Sequence, residues 1–395
     1  MTDRRYALNK GNLSNELLLL LELLATDAPA SIAEEKAALF AEVDWELFVR
    51  LALHHRVYPF LFPRLSMIGE ERVPATAIQR LKQEYRRNTL QMLQLGGEMG
   101  RLSDKLAQLN IRSLFLKGPV LAQDLYGDIS LRTSRDLDFL VPMHDLAAAE
   151  ALLRELGYLQ EEVFEPILGD WKWREHHLTF HHPSQHIKVE VHWRLSPGPS
   201  KEPAFDELWR RARTSKNFGP DVHYLGKEDL FMFLAAHGAR HGWSRLRWLH
   251  DIKQLLLQTP DPVLLLRLLH QYHYEHAAGQ ALILASGLLN APVDDSGLAG
   301  LTAKPKARRL ADLAMFYVER QVNLHNPPLG PEVEKHYKYY KPAILSRRQQ
   351  LLYMLGFLYP YAADAKTLPL PKALHALYFP LRPFLWSWRK VTGKE

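Results

Sequence analysis

The stretch RTSRDLDFLV, Arg132–Val141, sets two acids into what is otherwise an apolar strand. Leu137, Phe139, Leu140 and Val141 ask for an interior, yet Asp136 and Asp138 stand one residue apart among them. A buried carboxylate is costly without a partner. On a strand, side chains two apart share a face and lie about 6.6 Å from each other along the chain. Asp136 and Asp138 therefore point together, with Leu137, Phe139 and Val141 on the opposite face.

Outward from this strand, the neighbouring segments build a small α/β unit. IRSLFLKG (111–118) reads as a buried strand ending in a turn at Gly118, and Pro119 is pre-set to open the helix PVLAQDLYGD. MHDLAAAEALLRELGY (143–158) reads as a helix closing at Gly157. HHLTFHH (176–182) and IKVEVHWRL (187–195) read as two further strands joined by the turn PSQ. In the latter, Glu190 and His192 share a face against Val189, Val191 and Trp193. If this strand neighbours Asp136–Val141, Glu190 converges on the aspartates. Three such carboxylates repel one another unless a cation neutralises them. Hard oxygen ligands with open positions suit Mg²⁺, as one ion or two, bridging a triphosphate.

The flanking residues fit the same chemistry. Gly118, eighteen residues before Asp136, allows backbone N–H groups to approach phosphate at a helix start. Lys117 supplies a point charge, and Arg132 and Ser134 are placed to hold triphosphate oxygens.

The rest of the chain reads as helical. SNELLLLLELLA begins with a Ser14 cap signal, and SIAEEKAALFAEV with a Ser31-x-x-Glu34 capping box. Pro59 and Pro63 are expected to break the apolar periodicity that precedes them, and a long amphipathic stretch follows from Pro74 to Leu109. Helices return after Pro203. The expected fold is α+β: a small mixed-sheet core at 97–200, with a helical region at 1–96 and another, basic at its end, at 201–395.

Composition bounds the function. The 395 residues are 47% hydrophobic and 24% charged, enough for more than one core. There is no cysteine, which excludes disulfides, thiolate metal sites and cysteine nucleophiles. No run of 18 apolar residues offers a membrane span, and the N-terminus lacks a signal-peptide layout, so a cytoplasmic protein is expected. The net charge of +6 is uneven. Residues 301–395 hold 16 Lys and Arg against 6 Asp and Glu, a net of +10, which favours contact with an anionic surface or polyanion. LYFPLRPFLWSWRKVT, near the C-terminus, interleaves aromatics with Arg382, Arg389 and Lys390.

Six of the nineteen histidines fall between 176 and 192. Alternation along HHLTFHH argues against a metal cluster within that run, which leaves His192, on Glu190's face, as the candidate ligand or phosphate contact. His237 and His241 share a helix face. With Asp251 they read as a hydrogen-bonded structural set packed by Trp243 and Trp248, or as a metal or pyrophosphate site.

LKGPVLAQDLYGDISLRTSRDLDFLV followed by IKVEVHW resembles the DNA polymerase β-like nucleotidyltransferase superfamily, and within it a bacterial group of uncharacterised nucleotidyltransferase family proteins. DWELFVRLALHHRVYP, AAHGARHGWSRLRWLHDIKQLL and LPLPKALHALYFPLRPF extend the resemblance over most of the chain. It implies a Mg²⁺-dependent transfer of NMP from an NTP, such as ATP, to an acceptor hydroxyl or phosphate with release of pyrophosphate. By position it implies that Asp136 and Asp138 bind metal and that Glu190 completes the site, also as general base. Gly118 would border the triphosphate, with Lys117 and Ser134 as nucleotide contacts. One departure is Gly118-Pro119, where most of the superfamily has Gly-Gly or Gly-Ser. Proline removes a phosphate donor, which keeps open a degenerate nucleotide- or partner-binding protein. The basic C-terminal region keeps open a toxin-like transferase acting on tRNA. The acceptor, whether small molecule, glycan, peptide or RNA, is not legible.

Overall fold

A seven-stranded mixed sheet organises the structure, a computed structural model that describes residues 7–161, 175–293, 298–324, 328–356 and 358–392. Its strands are β1 (Leu114–Phe115), β2 (Asp136–Leu140), β3 (Leu159–Gln160), β4 (His177–His182), β5 (Ile187–His192), β6 (Arg213–Thr214) and β7 (His223–Tyr224). Their spatial order is β3-β4-β5-β2-β1-β7-β6. β2 lies at the centre, parallel to β5 and antiparallel to β1. Leu137 pairs with Val189 and Phe139 with Val191 across the β2–β5 ladder, so the apolar sets of both strands share one face. A one-residue slip would carry Lys188 and Glu190 into the core, and this fixes the register.

The 34-residue helix Ala75–Gln108 covers that apolar face through Met92, Leu95, Met99, Leu102 and Leu106, beside the helix Leu146–Glu155. It runs unbroken through residues 96 and 97. Helices from both halves of the chain build a second core. Leu17, Leu20, Leu24, Phe48 and Leu51 belong to the same apolar cluster as Phe231, Leu249, Ile252, Leu282 and Ile283. Polar bonds reinforce the join: the Arg247 N–H donates to the His55 carbonyl at 3.2 Å, and Arg245 donates to the His54 carbonyl.

Some local signals resolve as read and others do not. Ser14 caps the helix Asn15–Ala25, its hydroxyl accepting the Leu17 N–H at 3.3 Å. Pro29, however, opens the next helix, Pro29–Glu35, so Ser31 lies inside it and not at a cap. Pro59 and Pro63 do not break a helix; both lie within Tyr58–Ile68, Pro59 in the first turn where no N–H is needed. The break falls earlier, after Trp45–His54, where Arg56 takes φ = +57°. β6 and β7 lie in a stretch read as helical, because two-residue strands are too short to show alternation.

Several core histidines are held neutral. Burial, reinforced by the Arg245 charge, pushes the His54 imidazole down to about 4. Burial, reinforced by Lys253, pushes His250 down to about 3. The unfolded chain then binds more protons than the folded one below about pH 6.5, so stability is complete above that pH and falls on acidification. Each such histidine contributes a slope of up to about 1.4 kcal/mol per pH unit. Urea unfolding between about pH 7.5 and pH 5.5 is expected to show a falling midpoint, and His250→Gln a shallower fall.

Candidate active site

The β2–β5 register sets Asp138 directly opposite Glu190, and the β4–β5 register sets His177 opposite His192. The polar face of three central strands thus gathers acids and imidazoles without help from a loop. His192 Nε2 lies 3.2 Å from Asp138 Oδ1 and 3.6 Å from Glu190 Oε2. Asp138, Glu190 and His192 each place a ligand atom within 4.8 Å of the others'. Lys117 Nζ approaches Asp138 Oδ2 at 3.6 Å, and Lys188 Nζ approaches Glu190 Oε1 at 3.1 Å.

Burial and close pairing shift the protonation of these groups. Burial, and then the neighbouring Asp138 charge, raises the Asp136 carboxyl above its ordinary range. Burial also acts upward on Glu190, but hydrogen bonding to His192 outweighs it and holds this carboxyl well below the usual range. Burial works against a charged His192, yet hydrogen bonds to Asp138 and Glu190 raise it. The His192 imidazole lies between the two carboxylates. Asp138 Oδ2 is buried and has no hydrogen-bond partner among the described residues, which is the condition a hard cation satisfies. The donor set of carboxylate oxygens and one imidazole nitrogen therefore fits a divalent ion.

Lys117, Gly118 and Ser134 lie around the same strand. Gly118 precedes the helix Pro119–Tyr126 with φ = +86°, a backbone conformation that favours glycine, and faces the Asp136 carbonyl and Leu137. The Ser134 hydroxyl donates to the Asp136 carbonyl at 3.1 Å. Lys117 lies 5.6 Å from the Phe233 ring, which brings the helix Lys227–Arg240 to this edge of the site. Arg132 is engaged elsewhere. Its Nε and Nη2 both donate to Asp251 at 2.9 Å, with both side chains buried, so its fork is spent on a carboxylate rather than offered to phosphate. Tyr126 adds a third bond to Asp251 at 2.8 Å, and Arg247 donates to the Thr133 hydroxyl at 2.9 Å. From the other side, the Asn88 amide donates to the Ser130 carbonyl at 2.9 Å. The loop that delivers β2 is gripped by both helical shells.

Asp251 consequently does not bond His237 and His241. Those rings lie 4.6 Å apart and pack on Trp248, at 5.3 and 5.5 Å. Burial, then the Lys117 charge, drives the His237 imidazole well below its ordinary range. The alternation argument reaches only the run 176–182 and says nothing of a grouping across strands. His176 precedes β4 and escapes its period, while His192 comes from the adjacent strand, so His176, His177 and His192 place ligand atoms within 4.8 Å of one another. Burial, then the His192 charge, pushes His177 down to about 4, leaving it a neutral donor near pH 7. Cross-strand pairing was the missing signal. Arg240 was missed as well; its charge is felt by His176 and it feels Glu190 and Asp138.

The sequence model of a family described as "Uncharacterised nucleotidyltransferase" matches residues 41–290. No curated protein matches the chain. The matched span contains all seven strands and both partners of the Arg132–Asp251 pair.

Removing one member of a buried ion pair strands the other charge and costs about 3–5 kcal/mol, whereas replacing both with apolar groups is often near neutral. Arg132→Met and Asp251→Leu are each expected to lower the urea midpoint strongly. The double variant is expected to lose less than the sum of the two, as a double-mutant cycle measures.

Proposed function

The chain belongs to the uncharacterised nucleotidyltransferase family, and from that premise we propose that it transfers a nucleoside monophosphate from a magnesium-bound NTP to an acceptor, releasing pyrophosphate. The observation that carries this reading is Asp138 set opposite Glu190 on adjacent parallel strands, with Asp138 Oδ2 buried and without a hydrogen bond among the described residues. Asp136, Asp138 and Glu190 would hold the metal, with the His192 imidazole as a further donor. A cation held there would supply charge neutralisation for the α-phosphate and the pyrophosphate leaving group. Lys117, Ser134 and the backbone at Gly118 hold the triphosphate tail and so fix which phosphorus faces the acceptor. As the acceptor oxygen bonds to the α-phosphorus, the bond to the bridging oxygen breaks and pyrophosphate leaves with its electron pair. Glu190 faces Asp138 across the β2–β5 ladder and holds negative charge beside it.

The polar face exists to hold a cation, so losing its acids should spare the fold. Calorimetric titration of the four NTPs is expected to show binding that requires Mg²⁺ and is abolished in Asp136→Ala/Asp138→Ala. An unchanged near-ultraviolet dichroism spectrum of that variant is expected, so that lost binding is not lost fold. Parent-like NTP binding by the variant would overturn the assignment.

No helix among the described residues is long and apolar enough to cross a membrane. For the basic C-terminal segment we propose contact with an anionic membrane surface. In the helix Tyr378–Thr392, Arg382 and Arg389 turn inward to Asp364, at 2.6 and 2.7 Å. Phe384, Trp388 and Val391, spaced i, i+4 and i+7 on the opposite face, are 73%, 64% and 87% exposed. An aromatic stripe beside lysine suits the headgroup boundary. The chain is expected to co-sediment with phosphatidylglycerol vesicles more than with phosphatidylcholine ones, and Phe384→Ser/Trp388→Ser to reduce this severalfold.

A further inference from the structure

A cavity of about 280 Å³ lies beyond Arg240, at the far end of the helix that brings Phe233 to Lys117. Seven helical residues separate Phe233 from Arg240, a rise of about 10 Å. Arg240 feels the charges of Glu190 and Asp138, and its own charge is felt by His176, so the cavity it lines neighbours the carboxylates. In an in-line displacement the attacking and leaving groups lie on opposite sides of the phosphorus. With the triphosphate tail at Lys117 and Gly118, the acceptor enters away from that turn, and the Arg240 cavity offers it a seat near the carboxylates.

The walls specify its chemistry. Arg240 and Lys341 both line the cavity, and no carboxylate lines it among the described residues. Arg240 Nη1 is out of solvent and has no hydrogen-bond partner among the described residues. Lys341 Nζ lies 5.8 Å from the Tyr337 ring and 5.7 Å from the Tyr353 ring. Burial depresses both cations, and the Arg240 charge depresses Lys341 further. An anion seated between them would relieve both burial and repulsion. The Ser196–Ser200 wall follows directly from β5 and is braced by Glu202, which accepts the Leu195 and Ser196 N–H groups at 3.2 and 3.1 Å. Tyr337, Lys341 and Tyr353 lie beyond residue 290, outside the matched family span. The volume is at the small end of ligand sites and suits a small molecule.

We propose that this cavity is the acceptor site, and that the acceptor is a small organic anion whose phosphate or carboxylate sits between Arg240 and Lys341 with its body against Tyr337 and Tyr353. The assignment rests on the nucleotidyl-transfer reading and narrows its acceptor class.

Phenyl phosphate, benzoate and inorganic phosphate, titrated without Mg²⁺ into the full chain, test it. Phenyl phosphate or benzoate is expected to bind the parent, to bind Lys341→Met at least about tenfold more weakly, the loss of one charge-assisted bond, and to bind Asp136→Ala/Asp138→Ala as it binds the parent. An unchanged near-ultraviolet dichroism spectrum of Lys341→Met would exclude misfolding, and Tyr353→Leu gives a second, uncharged perturbation expected to weaken the same binding. Loss in the aspartate variant, or a need for Mg²⁺, would put the anion in the triphosphate site and overturn the proposal. Equal affinity for inorganic phosphate would overturn the organic acceptor, and so would no binding by the parent. Magnesium-dependent NTP titrations on the same samples separate the two readings: intact phenyl phosphate binding without any NTP binding would sink nucleotidyl transfer and leave the anion cavity standing.

Discussion

The buried pairing of Arg132 with Asp251 is the constraint around which the site is built. Two charges removed from water gain little net stability over an apolar pair of the same size. What they supply is position. Two parallel N–H···O bonds fix the guanidinium plane, and with it the backbone that delivers Asp136 and Asp138 four and six residues later. Arg247 on the same side and Asn88 on the other hold the adjoining peptide groups. The pair is thus worth more as a ruler than as an attraction.

The sheet supplies the remaining geometry at no local cost. In a parallel ladder the residue opposite is set by register, and register is set by the apolar residues beneath. Val189 and Val191 under the β2–β5 pair are therefore as responsible for the meeting of Asp138 and Glu190 as those acids themselves. The chain places its strain above the sheet and its cohesion below. The acidic face leans on Lys117, Lys188 and His192, while the helix Ala75–Gln108 seals the other side.

This division explains what could be read in advance. Period-two alternation exposed the face shared by Asp136 and Asp138 and the one shared by Glu190 and His192, and Gly118 before Pro119 marked the turn. The α+β outline followed from the switch between periods. Arg132 looked like a phosphate ligand because its true partner stands 119 residues away in a helix whose own pattern says only that it is amphipathic. The histidine cluster was hidden for the same reason, since alternation within one strand is silent about the next. Pro63 inside a helix and the two-residue strands β6 and β7 are cases where tertiary packing overrides a local rule. The cavity wall from Tyr337 to Tyr353 carries no motif, only a spacing that acquires meaning once Arg240 faces it.

The helices that enclose the sheet come from both sides of it in sequence and share one core, with Leu20 and Leu282 in the same cluster. Synthesis runs in one direction, however. A growing chain presents the Asp-x-Asp strand more than a hundred residues before Asp251 exists to receive Arg132. Until then the guanidinium lacks the carboxylate that orients it, and the first helices lack the later helices that complete their shared core. The strand that carries the acids therefore depends on a helix made long after it, and a chain ended before Asp251 lacks the carboxylate that orients Arg132.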